Sequence, residues 1–246
     1  MNKLKNKVIA VTGGSGLIGR SILKQIDIEG GIAVNLDIDC VTDPGQHTIK
    51  CDITREEEIL PAFKLLVDTF GRIDGLVNAA YPRTEDWGDD FEEIKTTSWQ
   101  KNIDWQLTGC FISSRAAIRQ MLKQGGGAVV NIASIYGVVG SNFNIYEGSG
   151  ITPPAAYSVI KGGIINFTRY LASKYAKSGI RINCVSPGGV YNRQDSSFVQ
   201  AYEQQVPIRR MAAPEDIAPG VVFLLSDEAQ YVIGHNLIID GGWTAI

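Results

Sequence analysis

The sequence predicts an α/β protein built on one doubly wound parallel sheet, with helices on both faces. Short apolar runs alternate with amphipathic helical patterns along the whole chain. The strand-like runs are apolar throughout, as expected for parallel strands that are covered on both faces. No low-complexity linker or internal repeat divides the chain. Residues 1–246 are therefore predicted to form a single domain.

The first half of the chain predicts three strands and two helices. "KVIAVTGG" predicts a buried strand, and "GRSILKQIDIEGG" predicts the helix that follows it. "IAVNLDID" predicts a second strand, and "IDGLVNAA" predicts another. Between them, "REEEILPAFKLLVDTFG" has an amphipathic helical pattern, in which we expect Pro61 near the first turn.

The second half continues the alternation. "SWQKNIDWQLTGCFISSRAAIRQMLKQGGG" predicts one long helix ended by three glycines. The strand "AVVNIASI" and the long helix "AAYSVIKGGIINFTRYLASKYAKSG" come next. "IRINCVSPGG" and "NLIIDGG" predict the last strands.

Composition excludes several classes of function. The net charge is −3, from 23 Lys and Arg against 26 Asp and Glu, and no basic block indicates nucleic acid or an anionic membrane. The four cysteines are far apart and there are only two histidines, so no metal site is predicted. "VIAV" is too short for a signal peptide, and no run is long enough to span a membrane. We expect a soluble, cytoplasmic protein with reduced thiols.

A glycine-rich turn joins the first strand to the first helix. In "TGGSGLIG", Gly13 permits the tight turn, Gly16 lets the backbone approach a pyrophosphate, and Gly19 lets the helix pack on the sheet. The phosphates would lie on free N–H groups of the helix N-terminus, as in a Rossmann-type fold. Glycine-rich turns without ligands also exist, but the strand-turn-helix context favours dinucleotide binding. The predicted cofactor contacts here are Gly13, Ser15, Gly16, Leu17, Ile18 and Gly19.

Asp37 closes the second strand, where a carboxylate can accept hydrogen bonds from the adenosine ribose. It would repel a 2′-phosphate, and no Arg or Lys follows nearby. The sequence therefore favours NAD over NADP. The alternative is that Asp37 is an ordinary turn residue at the end of a strand.

Several motifs in this order resemble the short-chain dehydrogenase/reductase family over nearly the whole chain. "YSVIK" resembles the family's Tyr and Lys pair, and "NIAS" the segment with its catalytic serine. "CDIT" and "LVNAAY" resemble its adenine-side and cofactor-side segments, and "SPGGV" resembles its turn beside the nicotinamide. The resemblance implies a homotetramer or homodimer built on the long helices. It adds these cofactor contacts: Asp52, Ile53, Asn78, Ala79, Ala80, Tyr157, Lys161, Pro187, Gly188 and Val190.

The resemblance also implies a mechanism. Tyr157 would act as the general acid/base. Its pKa, about 10 when free, should be lowered by the ammonium of Lys161 one helical turn away. Lys161 would also hold the nicotinamide ribose. Ser134 would hydrogen-bond the substrate oxygen.

Three substitutions depart from the family pattern. Leu17 stands where the commoner branch has its middle glycine, so the spacing resembles the branch that often handles nucleotide sugars. Gln106 stands where the family's catalytic Asn is expected, with Asn102 one turn away as an alternative. Asn192 stands where many members have Thr.

An insertion at about 140–154 separates Ser134 from Tyr157 by more residues than is usual in the family. This segment resembles the flagellin modification protein A subgroup, which is implicated in glycan or nonulosonate synthesis. Its Asn142, Asn144, Tyr146 and Glu147 suit hydroxyl-rich ligands, although a merely tolerated surface insertion is the alternative.

The expected reaction is hydride transfer between NAD and a secondary alcohol or ketone of a sugar or sugar derivative. A polyol, gluconate or 3-oxoacyl-thioester reductase is the second hypothesis. A third is a catalytically weak NAD-binding or scaffold protein, suggested by Gln106.

Overall fold

The computed structural model describes residues 2–150 and 152–246 as an α/β domain around one parallel sheet. Its strand order is β3-β2-β1-β4-β5-β6-β7. This is the doubly wound arrangement predicted from the apolar runs. The strands are β1 (Val8–Thr12), β2 (Ile32–Asp37), β3 (Thr48–Lys50), β4 (Gly75–Asn78), β5 (Gly127–Ile132), β6 (Ile180–Pro187) and β7 (Asn236–Ile239).

Helices cover both faces of the sheet, and two apolar clusters lie beneath them. On one face, Ile22 and Val221 of the first and last helices pack against the sheet. On the other face, Phe63, Ile118 and Leu171 belong to a second cluster. The helices are α1 (Leu17–Ile28), α2 (Glu56–Phe70), α3 (Thr96–Ile103), α4 (Gly109–Gln124), α5 (Ala155–Tyr175), α6 (Ser196–Gln205) and α7 (Pro214–Leu225). None of the helices in the described ranges is long and apolar enough to cross a membrane.

The strand order creates a crevice between β1 and β4. The chain moves outward from β1 to β3 and then returns to place β4 on the other side of β1. Ligands of open α/β sheets bind at such a switch point, beyond the carboxyl ends of the strands. The glycine-rich turn after β1 and the segment after β4 both lie at this edge.

Four predictions about the elements were incomplete or wrong. The three-residue strand β3 was missed because so short a run has no recognisable period. Helices α6 and α7 were not predicted. Pro61 is the sixth residue of α2, which begins at Glu56, so it lies in the second turn and not the first. The predicted long helix is divided into α3 and α4 by a π-helical turn, Asp104–Thr108.

Candidate active site

A cleft of about 930 Å³ runs along the carboxyl ends of the strands. Every catalytic or cofactor-binding residue predicted from the sequence lines it, except Asn78. One half of the cleft contains the glycine-rich turn and Asp37. The other half is lined by aromatic side chains and by the amides of Asn192 and Gln194, which precede α6. Tyr157, Lys161 and Ser134 also line this cleft.

The glycine-rich turn fits a dinucleotide pyrophosphate. Gly13 has a φ of 69°, and a Cβ there would lie 2.5 Å from Cα of Ala80. A Cβ on Gly19 would lie 2.2 Å from the Gly13 carbonyl oxygen. The amides of Leu17 and Ile18 donate to no backbone acceptor in the described ranges, and both residues line the cleft. Unpaired amides at a helix N-terminus are suited to an anionic ligand.

Asp37 lines the cleft directly beside the glycine-rich turn and is largely buried. Its two carboxylate oxygens accept hydrogen bonds from the amides of Ser15 and Asp39, each at 2.9 Å. A carboxylate can accept further bonds, so ribose hydroxyls fit here as well. The nearby Arg20 side chain instead donates to the Ser15 carbonyl, at 2.6 Å.

Asn78 is the predicted cofactor contact that does not reach the cleft. Its Nδ2 donates to Asn131 Oδ1 at 2.8 Å and to Ser114 Oγ at 3.0 Å. It is paired in register with Asn131 on β5, so both amides lie on the same face of the sheet. In this structure its amide belongs to the sheet network and lines the small cavity that Lys161 also lines, so a contact between Asn78 and the cofactor stays a prediction.

Lys161 is a buried cation one helical turn after Tyr157. Its Nζ donates to the Ile132 carbonyl at 2.9 Å and lies 5.5 Å from the centre of the Tyr157 ring. Burial lowers the pKa of Lys161 to about 8. Ser134 Oγ accepts from the Tyr136 amide at 3.2 Å, which leaves its hydroxyl hydrogen available for another acceptor.

Tyr157 does not show the lowered pKa expected from the sequence. Burial raises the pKa of its phenol, the Ser134 hydroxyl opposes this rise, and Tyr136 adds to it. Desolvation disfavours the phenolate. The Lys161 ammonium lies over the ring and is itself held by a backbone carbonyl. In this arrangement desolvation is the largest influence on the pKa of the phenol.

Gln106 is buried in the π-helical turn, where its Nε2 donates to the Pro82 carbonyl at 2.8 Å. Its Oε1, Asn78 Oδ1 and Ser113 Oγ are buried without a partner among the described residues. All three residues, with Lys161, line one small cavity of about 10 Å³. A polar cavity of this size holds about one water molecule.

Asn102 does not take the place expected for the catalytic amide. Its Nδ2 donates to Thr84 Oγ1 at 2.8 Å and to the Ser98 carbonyl at 2.9 Å. Its Oδ1 accepts from the Thr84 amide at 3.1 Å. Asn102 is therefore a structural bridge between α3 and the segment after β4.

The inserted segment is less polar toward the cleft than its composition suggested. It forms a short 3₁₀ turn, Phe143–Tyr146, and Ile145 is buried against Phe198, Tyr202, Val206 and Met211. Tyr146 lines the cleft. The other three residues expected to meet a hydroxyl-rich ligand, Asn142, Asn144 and Glu147, do not line it. Ile151, within the predicted insertion, lies outside the described residues.

Sequence reasoning missed the aromatic wall around Tyr157. The rings of Tyr81 and Trp87 lie 5.7 Å and 6.3 Å from the Tyr157 ring, both edge to face. Tyr146 donates through its hydroxyl to that of Tyr136, at 3.1 Å. Tyr81 could have been found from the sequence, because it lies three residues after the end of β4. The remaining lining residues that were not predicted as site residues include Pro82, Arg83, Trp105, Tyr136, Gln194, Phe198 and Tyr202.

Comparison with known proteins gives a consistent result. Residues 39–244 match the family model described as enoyl-(acyl carrier protein) reductase. The chain is 32% identical to post-translational flagellin modification protein A of Campylobacter coli, covering 98% of this chain and 99% of that protein. It is 35% identical to 2-(S)-hydroxypropyl-CoM dehydrogenase 3 of Xanthobacter autotrophicus, covering 100% and 99%.

A solved structure supports the same assignment. The short-chain dehydrogenase of Leptospira borgpetersenii with bound NAD⁺ is 35% identical, with a TM-score of 0.89 over 98% of this chain and 94% of that chain. The sheet, the glycine-rich turn and the Tyr157–Lys161 pair agree with these similarities. The chain belongs to the short-chain dehydrogenase/reductase family of NAD(P)-dependent oxidoreductases.

Proposed function

We propose that this oxidoreductase uses NAD to interconvert a secondary alcohol and a ketone on a sugar or sugar derivative. The observation that carries the proposal is the position of Tyr157, Lys161 and Ser134 in one cleft with the glycine-rich turn and with an aromatic, amide-containing region. Bound nicotinamide supplies the hydride chemistry. The protein supplies position, proton transfer and charge stabilisation.

Three residues carry the proton chemistry in this proposal. Tyr157 exchanges the proton of the substrate hydroxyl. Lys161 holds the cofactor ribose and provides positive charge beside the ring of Tyr157. Ser134 donates its hydroxyl hydrogen to the substrate oxygen, where negative charge develops. The small cavity lined by Lys161 and Gln106 gives a water a place from which to resupply the proton.

The preference for NAD is supported by the charges at the adenosine end of the cleft. Asp37, Asp39 and Asp52 line this end, and no Arg or Lys in the described ranges lines it with them. A 2′-phosphate would enter a region of negative charge, and the nearby Arg20 side chain is bonded to the Ser15 carbonyl.

Support for a sugar derivative comes from the other half of the cleft. Tyr136, Tyr146 and Tyr202 contribute hydroxyl groups, and Asn192 and Gln194 contribute amides. Such groups suit a ligand with several hydroxyls. The similarity to a flagellin modification protein supports a role in the synthesis of a surface glycan or nonulosonate.

The alternatives receive less support. A reductase of acyl-carrier-protein substrates would need a basic surface, for which Arg209 and Arg210 were the candidates. Arg210 is paired with Asp216 at 2.6 Å, and Arg209 donates to the Gln204 carbonyl. A non-catalytic scaffold would not require Ser134, Tyr157 and Lys161 to line one cleft.

Homo-oligomer formation through the long helices remains part of the proposal. Phe111 and Leu122 on α4, and Tyr170 on α5, are apolar or aromatic side chains that stay exposed in the isolated chain. Burial of such side chains between copies would be favourable.

The substrate proposal is tested by following NADH formation with a panel of sugars, sugar acids, polyols and 3-hydroxyacyl thioesters. We expect turnover with NAD and at least one sugar derivative, at a higher kcat/KM than with the thioesters. Turnover confined to acyl thioesters would contradict it. NADH binding without turnover of any alcohol would favour the scaffold hypothesis.

A further inference from the structure

Hydrogen bonds fix the segment after β4 at Pro82 and at Thr84, the residues on either side of Arg83. Gln106 Nε2 donates to the carbonyl of Pro82, and the Asn102 amide is bonded to both the backbone and the side chain of Thr84. Both amide residues are 3% exposed and lie one helical turn apart. Arg83 is the residue between the two attachment points, so its backbone has a fixed position beside the cleft.

Arg83 lines the cleft and presents an unneutralised cation. Its guanidinium carbon lies 5.6 Å from the centre of the Tyr81 ring, and that ring lies 5.7 Å from the ring of Tyr157. Only one aromatic ring separates the guanidinium from the proposed acid/base. No carboxylate in the described parts of the chain forms an ion pair with Arg83.

The distribution of charge along the cleft is polarised. The carboxylates lining it lie at the adenosine end, and two cations, Arg83 and Lys161, accompany the aromatic side chains. Lys161 is buried and donates to the Ile132 carbonyl, whereas Arg83 is exposed to the cleft opening. The surface segment that follows is acidic, but its carboxylates do not line the cleft. Several have other partners: Asp86 interacts with Thr84 and Ser98, and Asp90 with Thr152. Their effect on a ligand inside the cleft is weakened by solvent.

We propose that Arg83 binds an anionic group of the substrate, and that Gln106 and Asn102 position it for this contact. This inference rests on the proposed dehydrogenase function and narrows the substrate to an acidic sugar derivative. A guanidinium forms two parallel charge-assisted bonds to a carboxylate or a phosphate, which a neutral hydroxyl group cannot reproduce. The proposal also gives a role to Gln106, which stands where the family has Asn, because the longer side chain of Gln reaches the Pro82 carbonyl.

The first test compares ligands that differ mainly in one anionic group. The pairs are D-gluconate with D-glucitol, D-galacturonate with D-galactose, and D-glucose 6-phosphate with D-glucose. Binding to the enzyme–NADH complex and NAD-dependent turnover are both measured. We expect the anionic member of at least one pair to be favoured about tenfold to a hundredfold, the range for a charge-assisted contact. A preference in the first two pairs indicates a site for a carboxylate, and a preference in the third pair indicates a site for a phosphate.

Variants then assign this preference to Arg83. We expect Arg83→Gln to reduce the ratio to near one and Arg83→Lys to restore part of it. The matched control, Arg119→Gln, removes an exposed arginine outside the cleft and should leave the ratio unchanged. Gln106→Ala should raise KM for the anionic ligand more than it lowers kcat. Preference for the neutral member of every pair, or a preference that survives in Arg83→Gln, would overturn the proposal.

A second measurement does not depend on finding the substrate. The ¹⁵N–¹H signal of Arg83 Nε is followed while malonate or inorganic phosphate is added to the enzyme–NAD complex. We expect a saturating shift for Arg83 and none for Arg119. Equal, non-saturating shifts at both arginines would overturn the proposal. If the unmodified enzyme does not bind NAD, or transfers hydride to or from none of the ligands, the proposed dehydrogenase function is contradicted instead.

Discussion

Asp37 gives the clearest quantitative prediction about cofactor choice. Its carboxylate is largely buried at the adenosine end of the cleft, where Asp39 and Asp52 add negative charge. Two unit charges 4 Å apart interact by about 4 kcal/mol at an effective dielectric constant of about 20. Because about 1.4 kcal/mol corresponds to a tenfold change, NADPH should bind about a thousandfold more weakly than NADH.

Asp37→Ala removes this repulsion and also removes an acceptor for the ribose hydroxyls, which is worth about 1.5–3 kcal/mol for a charged group. We expect NADH affinity to fall, NADPH affinity to rise, and their ratio to come within about tenfold. Asp37→Asn keeps the shape and removes the charge, so it separates the two effects. Fluorescence titrations with NADH and NADPH measure the ratio of the two affinities in the unmodified protein, in Asp37→Ala and in Asp37→Asn. Equal affinities in the unmodified protein, or an unchanged ratio in Asp37→Ala, would refute the reasoning.

Two further predictions concern Lys161 and the inserted segment. Burial lowers the pKa of Lys161 to about 8, so its positive charge is present below that pH and is lost above it. Because NADH is an anion, its affinity for the enzyme should decrease as the pH rises through about 8. Lys161→Met should remove this pH dependence. A pH dependence that persists in the variant would belong to another group. Ile145→Ala should cost about 2–5 kcal/mol of packing against α6 and raise KM for the substrate, with little change in NADH affinity. The control is Phe143→Ala, which alters an exposed side chain of the same turn. Both variants are compared by thermal denaturation and by steady-state kinetics. Equal effects of the two variants would contradict the packing role assigned to Ile145.

The fold and the cofactor half of the cleft were predictable because each depends on local patterns. Continuous apolar runs such as Val8–Thr12 indicate buried parallel strands, and a glycine-rich turn after the first strand fixes where a dinucleotide fits. The prediction that Tyr157 and Lys161 lie together near a helix start is confirmed, since α5 begins at Ala155. These features need only short-range spacing in the sequence.

The substrate half was less predictable because tertiary packing decides which side chains face the cleft. Ile145, not the neighbouring asparagines, determines how the inserted turn sits, since it is buried beneath α6. Asn78 is the last residue of β4, and its register with Asn131 directs its amide into the sheet network. The π-helical turn around Gln106 has no signature in hydrophobic periodicity, and its contact with Pro82 joins residues distant in sequence.

The central claim is that Tyr157 transfers the substrate proton while the cofactor transfers the hydride. Tyr157→Phe removes the hydroxyl but keeps the ring that packs edge to face with Tyr81 and Trp87. The most direct test is single-turnover hydride transfer from saturating NADH to the best ketone substrate, with NADH affinity measured in parallel. We predict a rate lower by about a hundredfold to ten-thousandfold, the range for lost general acid catalysis, with NADH affinity nearly unchanged. A variant that keeps most of the rate would contradict the assigned role of Tyr157.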